Sequence, residues 1–139
     1  MTHSAVRLML AAFLVGSLAT LVFAQGVGPK SEYDPKTEIT ASGTLEKITH
    51  MKRGGCCGKG GLHGIIKTDQ GRMIIHLAPD WFFDLKKMTL KEEEPVALVG
   101  SKMKKGANEY VVVKTITLGG ATLALRDDQG VPLWSRAEK

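Results

Sequence analysis

The stretch that most constrains the fold is RMIIHLAPDWFF (72–83), an apolar run that ends at a proline and continues into aromatic residues. The run before Pro79 predicts a strand. Pro79 itself suits the first turn of a helix, where its missing N–H costs no hydrogen bond. Other strand-like runs lie on both sides of this stretch. One short helix among such runs predicts a small closed β-barrel.

Alternating, β-branched runs predict the strands of that barrel. Three of them precede the helix, two long ones follow it, and a short one comes last: 37–48, 62–68, 72–77, 95–103, 109–118 and 121–126. Three strands, a helix and two further strands is the element order of an OB-fold. The chain is therefore predicted to be all-β, with an OB-fold-like barrel of five to six strands and one short helix over residues 37–134.

Two details refine this prediction. Gly43 lies in the middle of the first predicted strand, where it would let the strand bend as barrel strands do. The helix is expected to cover the open end of the barrel with an apolar face formed by residues at helical spacing, namely Trp81, Phe82, Leu85 and Met88.

The N-terminus predicts export. Arg7 precedes an apolar, uncharged run that ends in Val22-Phe-Ala24, a small-residue cleavage pattern. Residues 1–24 are thus predicted to be a signal peptide cleaved after Ala24, and the mature protein to be periplasmic or secreted. Membrane association is expected only if this segment stays uncleaved, since it is barely long enough to span a bilayer. Residues 25–36 are predicted to be a flexible lead-in, and 135–139 a polar tail.

Charge and motifs exclude several function classes. The formal net charge is +5, but the basic residues are scattered and an acidic run, Glu92–Glu94, interrupts them. This pattern indicates a solvated surface, and no nucleic-acid partner is expected. There is no nucleophile motif, no phosphate-binding loop and no pair of carboxylates placed for acid–base chemistry. The chain is therefore predicted not to be an enzyme.

The glycine-rich stretch HMKRGGCCGKGGLHG (50–64) predicts a loop that carries soft metal donors. Thiolate, thioether and imidazole groups together suit copper, and thiolate with imidazole suits zinc. The candidate metal ligands are His50, Met51, Cys56, Cys57, His63 and, from the next strand, His76. The alternative is a loop between strands with two incidental thiols, because adjacent cysteines chelate less well than Cys-x-x-Cys.

The adjacent pair Cys56-Cys57 also allows a redox interpretation. Thiols outside the cytoplasm tend to oxidise, and neighbouring cysteines can form a strained, labile disulfide. Cross-linking between molecules is equally compatible with the pair. The chain has only these two cysteines and no thioredoxin-like motif, so an oxidoreductase is not predicted.

Three aromatic positions have both a structural and a ligand-binding interpretation. If Ile75 and Leu77 face inward, His76 faces outward or into a groove, where a structural histidine with satisfied hydrogen bonds is favoured over a ligand. Trp81 and Trp134 are expected in the core or at the barrel end. They could instead line a ligand groove, as aromatic residues do in OB-folds.

The motifs HLAPDW (76–81), VGS (99–101) and LRDDQGVPLW (125–134) resemble a family of small exported bacterial OB-like domains, the C-terminal domain of the MamS/MamX-type magnetosome proteins. The resemblance covers about residues 37–134 and implies an exported accessory domain without a defined reaction. Some relatives carry Cys-x-x-Cys-His haem sites. Here Gly58 follows two adjacent cysteines, so no covalent c-type haem is expected.

Together these features predict an exported, non-catalytic binding or accessory domain that handles a metal ion, copper or zinc, through its Gly/Cys loop. Its partner would be a metal ion or a protein of the periplasm. Two alternatives remain open: a periplasmic redox or cross-linking protein that uses Cys56 and Cys57, and a purely structural accessory domain.

Overall fold

The computed structural model describes residues 32–51 and 61–137. Six strands and two short helices make up this part of the chain, together with a single 3₁₀ turn at Pro35–Thr37. In chain order they are β1 (Glu38–Met51), β2 (Gly61–Thr68), β3 (Gly71–His76), α1 (Asp80–Leu85), β4 (Pro95–Lys105), β5 (Asn108–Leu118), β6 (Ala121–Ala124) and α2 (Trp134–Ala137).

The strands form one sheet in the order β3-β2-β1-β4-β5-β6, and a parallel pairing between β3 and β5 closes it into a barrel. The other ladders are antiparallel. Five strands thus form the closed barrel and β6 extends the sheet beside β5. The predicted all-β, OB-fold-like barrel is confirmed, and α1 lies between β3 and β4 as expected.

Glycines allow β1 and β4 to bend around the barrel. A Cβ at Gly43 would lie 2.1 Å from the Lys67 carbonyl oxygen, and one at Gly100 would lie 2.5 Å from that of Val112. No side chain fits at either place, because the backbone of the next strand is already in contact. Gly100 also follows an irregularity in the β4–β5 register. Both residues therefore permit close strand approach at a bend.

The barrel interior is a continuous apolar core. Its fully buried members include Leu45, Ile66, Ile75, Val113 and Ile116. Helix α1 covers one end of this core with Phe82 and Phe83, which are both buried. The predicted helix face was wrong in this respect, because Trp81 is 38% exposed and Leu85 is 58% exposed. Helix α1 has only six residues, less than two turns, so it buries one pair of neighbouring rings and is too short to form a longer apolar face.

Arg126 joins β3 and β5 at the point where their pairing ends. It is 4% exposed and donates hydrogen bonds to the carbonyl oxygens of Val113 and, at 3.2 Å, of Leu77. These carbonyls lie just beyond the last β3–β5 pair, His76 and Val112, where the two strands separate. The guanidinium therefore bridges the two strands where their own pairing stops.

The segment before β1 packs on the outside of the barrel. Tyr33 is 7% exposed and clusters with Tyr110 and Val112. The amide of Asp34 donates to the hydroxyl of the buried Ser101 at 3.0 Å. This differs from the predicted flexible lead-in over 25–36, whose described part, from residue 32, is held by these contacts. The lead-in was predicted to be unstructured because it is rich in glycine, proline and charge. Its one aromatic residue, Tyr33, forms no periodic pattern that would indicate packing.

Three predicted strand ends move by two or three residues, and one of them is the end of β4, which lies at Lys105 and not at residue 103. β1 continues past residue 48 to Met51, because its last residues pair with the start of β2. β6 ends at Ala124, not at Arg126. The amides of Leu125 and Arg126 both turn to the carbonyl of Lys114, and Arg126 then pairs with Pro132. Within the described residues, no helix is long and apolar enough to cross a membrane.

Candidate functional site

The β2–β3 hairpin places two histidines directly opposite each other. A tight turn at Asp69–Gln70 joins the strands, so that Thr68 pairs with Gly71 and, further along the same ladder, His63 pairs with His76. Their neighbours Gly64 and Ile75 are buried on the inner face. Side chains alternate along a strand. Both imidazoles therefore lie on the outer face of the barrel, as predicted for His76.

Three rings form a continuous stack on this outer face. The centroids of His63 and His76 are 3.8 Å apart with an interplanar angle of 9°. The His76 and Tyr110 centroids are 4.3 Å apart at 15°. His63, His76 and Tyr110 come from β2, β3 and β5, so this ring column crosses the three strands at the place where the barrel closes.

His76, the middle ring, does not have all of its hydrogen bonds within the part of the chain that the structure describes. Its Nδ1 atom is buried and has no hydrogen-bond partner among the described residues. This differs from the expected structural histidine with satisfied hydrogen bonds. A buried imidazole nitrogen without a partner is costly, so its presence needs an explanation beyond packing.

Apolar and basic residues surround the column. Ile65 and Ile74 pair next to the two histidines, and Ile74 also pairs with Tyr110 on β5. Ile74 is 43% exposed, so part of its side chain is accessible on this surface. We call the surface formed by His63, Ile65, Ile74, His76 and Tyr110 the ring face.

The rim of the ring face carries charges from the neighbouring positions of β1, β2 and β3. Lys47 pairs with Ile65, and Lys67 pairs with Arg72. Arg72 makes a bidentate ion pair with Glu46, with both N–O distances 2.7 Å. This pairing lowers the pKa of the Glu46 carboxyl, mainly through the hydrogen bonds from Arg72. The net charge around the ring face is consequently positive but small.

The predicted metal ligands separate into two groups. Thr49 pairs with His63, and Met51 lies two positions after Thr49 on the same strand. Met51 therefore shares the outer face with both stacked histidines. His50 points to the opposite side, where its Nδ1 lies 3.3 Å from Asp80 on α1. The four candidates that the structure describes, His50, Met51, His63 and His76, therefore do not converge on one ion.

Cys56 and Cys57, the candidates for both metal and redox chemistry, lie outside the described residues. The connection 52–60 that contains them starts and ends at the paired residues Met51 and Gly61. Within the described ranges, there is no group of three or more His, Cys, Asp or Glu that could hold a metal ion.

His50 and Asp80 belong to a separate groove between the end of β1 and α1. Its volume is about 530 Å³, and buried Leu62 and Phe83 form part of its wall. Glu92 is held at its edge, where its carboxylate accepts a hydrogen bond from the Ile48 amide at 3.1 Å.

The two candidate groove tryptophans have different environments. Trp134 is 6% exposed and belongs to the core, whereas Trp81 is partly exposed. The Phe82 ring packs edge-on against both, with centroid distances of 6.0 Å. They therefore do not line one open groove, and Trp134 acts as the core residue that was the other expectation for it.

Tyr110 lies in no motif, and it was not among the candidate residues chosen from the sequence. The pairing of His63 with His76 could have been predicted by counting residues outward from the Asp-Gln-Gly turn, because a two-residue connection fixes the hairpin register. The position of Tyr110 depends on the parallel β3–β5 pairing, which joins distant parts of the chain and leaves no local signal.

Comparison with known proteins adds a family. The family model described as the MamS/MamX magnetosome protein family matches residues 37–123, which is more than half of the chain. No curated protein sequence matches. Among solved structures, the chain is similar to the mitochondrial single-stranded DNA-binding protein Rim1 of S. cerevisiae, at 12% identity and a TM-score of 0.46. This similarity covers 62% of the chain and 93% of Rim1.

Proposed function

Because the chain belongs to the MamS/MamX magnetosome protein family, we propose that it is an exported, non-catalytic accessory domain that binds its ligand at the ring face. The observation that carries this proposal is the ring column. It stacks three rings in parallel on the outside of the barrel and leaves one buried ring nitrogen without a hydrogen-bond partner in the described part of the chain.

The position of the ring face supports a binding role. Barrels of the OB type bind ligands on the outer surface of their second and third strands, next to the loop between the first two. Here the same strands carry His63 and His76, and the β1–β2 connection leaves the sheet beside them. The exposed Ile74 adds apolar surface that a ligand would cover.

The ligand we favour is a transition-metal ion, copper or zinc, handled with the help of Cys56 and Cys57. Their connection is anchored at Met51 and Gly61, on the edge of the ring face. Imidazole and thiolate are the donors that these metals prefer. The structural alternative, in which the connection only links two strands, gives no role to the His76 Nδ1 atom, which has no hydrogen-bond partner among the residues that the structure describes.

A copper and zinc titration of residues 25–139 tests the cysteine part, with a Cys56→Ser/Cys57→Ser variant as the control. We expect the cysteines to tighten binding at least tenfold, about 1.4 kcal/mol. Equal, weak binding by both proteins would remove the cysteine part. Sequencing of the N-terminus of protein from the periplasm tests export, and Gln25 is the expected first residue.

A further inference from the structure

We propose that Met51, His63 and His76 form a Cu(I) site on the ring face. This inference rests on the proposed function, since it places the ligand on the same surface. It goes further by naming the ion and by assigning its ligands to the barrel itself. The cysteines of the β1–β2 connection are not needed for it.

The sheet register brings the three donors to one face. His63 and His76 are directly paired, and Thr49 pairs with His63 on the other side. Met51 follows Thr49 by two positions and therefore points the same way, diagonally next to His63. It is also 37% exposed, so its thioether is accessible. His50, between Thr49 and Met51, faces Asp80 instead.

The kind of donors selects the ion. A thioether is a soft ligand that binds Cu(I), whereas zinc, calcium and magnesium do not use it in proteins. Imidazole also binds copper well. In the described part of the chain, no three histidines, cysteines or carboxylates come together. The third protein donor next to the histidine pair is thus methionine, which favours Cu(I) over the divalent ions.

Binding requires the histidine stack to open. The lone pairs of an imidazole lie in its ring plane, and the two planes are 9° from parallel, so both rings cannot aim at one ion as they stand. His76 lies between the rings of His63 and Tyr110. Rotation of His63 about its Cβ–Cγ bond turns its nitrogen towards the ion. The ion also supplies a partner for the buried Nδ1 of His76, which has none among the described residues.

The test uses the Cys56→Ser/Cys57→Ser chain, so that thiolates cannot contribute. Its Cu(I) affinity is measured without oxygen by competition with a coloured chelator. His63→Phe and His76→Phe keep a ring in the stack and remove the nitrogens, and Met51→Leu keeps the shape and removes the sulfur. Each should weaken Cu(I) binding at least about tenfold. His50→Phe is the matched control on the opposite face and should leave the affinity unchanged.

A second measurement holds even if a variant folds poorly. Cu(I) added to the cysteine-free chain should shift the ring-proton NMR signals of His63 and His76 and the methyl signal of Met51. Shifts confined to His50, or no Cu(I) binding at all by this chain, would overturn the inference. If the wild-type chain still bound metal through its cysteines in that case, the proposed function would survive. If neither chain bound metal, the metal part of both proposals would fail.

Discussion

The guanidinium carbon of Arg126 lies 4.8 Å from the centre of the Trp134 ring. Arg126 also donates hydrogen bonds to the carbonyl oxygens of Leu77 and Val113, so one buried side chain joins the end of β3 and the middle of β5 to the C-terminal helix. The parallel β3–β5 pairing that closes the barrel is short, from Ile74–Tyr110 to His76–Val112. Arg126 extends this closure beyond the last backbone pair, close to the ring column.

Replacement of Arg126 by methionine should lower the free energy of unfolding by about 3 kcal/mol. Two buried carbonyl oxygens lose their donor and the Trp134 ring loses its cation. Chemical denaturation measures the change. The same substitution at Arg136, an exposed residue paired with Asp127, should cost less than about 1 kcal/mol. Equal effects of the two substitutions would contradict the closing role of Arg126.

Gly100→Ala tests the close approach of β4 and β5. The added Cβ would lie 2.5 Å from the Val112 carbonyl oxygen and 2.7 Å from a Val111 methyl group, so one of the strands must move. The free energy of unfolding should fall by about 3 kcal/mol. Gly106→Asn is the control, in a turn with open space around it and a backbone that asparagine tolerates. An unchanged free energy of unfolding in Gly100→Ala would mean that β4 and β5 are further apart than described.

Tyr33 should make the protein lose stability at alkaline pH. Burial, with the hydrogen bond to Glu38 at 2.6 Å, raises the pKa of the Tyr33 phenol well above its usual value of 10.0. Above pH 10 the unfolded chain releases this proton while the folded chain keeps it, so the free energy of unfolding falls as pH rises. Below pH 10 the phenol is protonated in both states and adds no pH dependence.

Denaturation at pH 9 and at about pH 11 tests this prediction. In Tyr33→Phe the loss between the two pH values should be smaller than in the wild type. The chain has only two tyrosines, so absorbance titration of the folded protein can also follow the phenol directly. Equal alkaline losses in both proteins, with ordinary ionisation of Tyr33, would show that the segment before β1 is not packed as described.

Ser101→Ala should release the segment before β1. The Ser101 hydroxyl accepts from the Asp34 amide and shares a 2.8 Å hydrogen bond with Thr37. Its removal leaves polar groups unsatisfied and should cost about 1 to 2 kcal/mol. Amide hydrogen exchange at residues 33–37 should speed up while exchange in the barrel strands hardly changes. Ser42→Ala, at an exposed position of β1, is the control, and unchanged exchange at 33–37 would refute the anchoring role.

Local patterns explain why the barrel could be predicted from the sequence. Period-two alternation marked the strands, and Pro79 marked the helix between the third and fourth. The alternation around His76 also gave its outward direction correctly. Contacts between distant parts of the chain left no such pattern. The anchoring of Tyr33 beside Tyr110 and the bridge made by Arg126 depend on how β3 and β5 meet, which no short stretch encodes.

The candidate site could likewise be predicted only in part. His63 and Met51 were selected for their chemistry within one loop, and the structure places them on the outer face with His76. His50 was selected on equal grounds but lies on the other side of the same strand, since neighbouring residues of a strand point apart. The loop had been predicted to begin at His50, whereas β1 in fact continues to Met51.

The central claim is that the ring face binds the ligand, and amide NMR mapping of the cysteine-free chain tests it most directly. With Cu(I) as the probe, the largest shifts should fall on Met51 and on residues 61–65, 74–77 and 110–112, with smaller changes around α1. Shifts centred on His50 and Asp80, with the signals of His63 and His76 unmoved, would contradict the account.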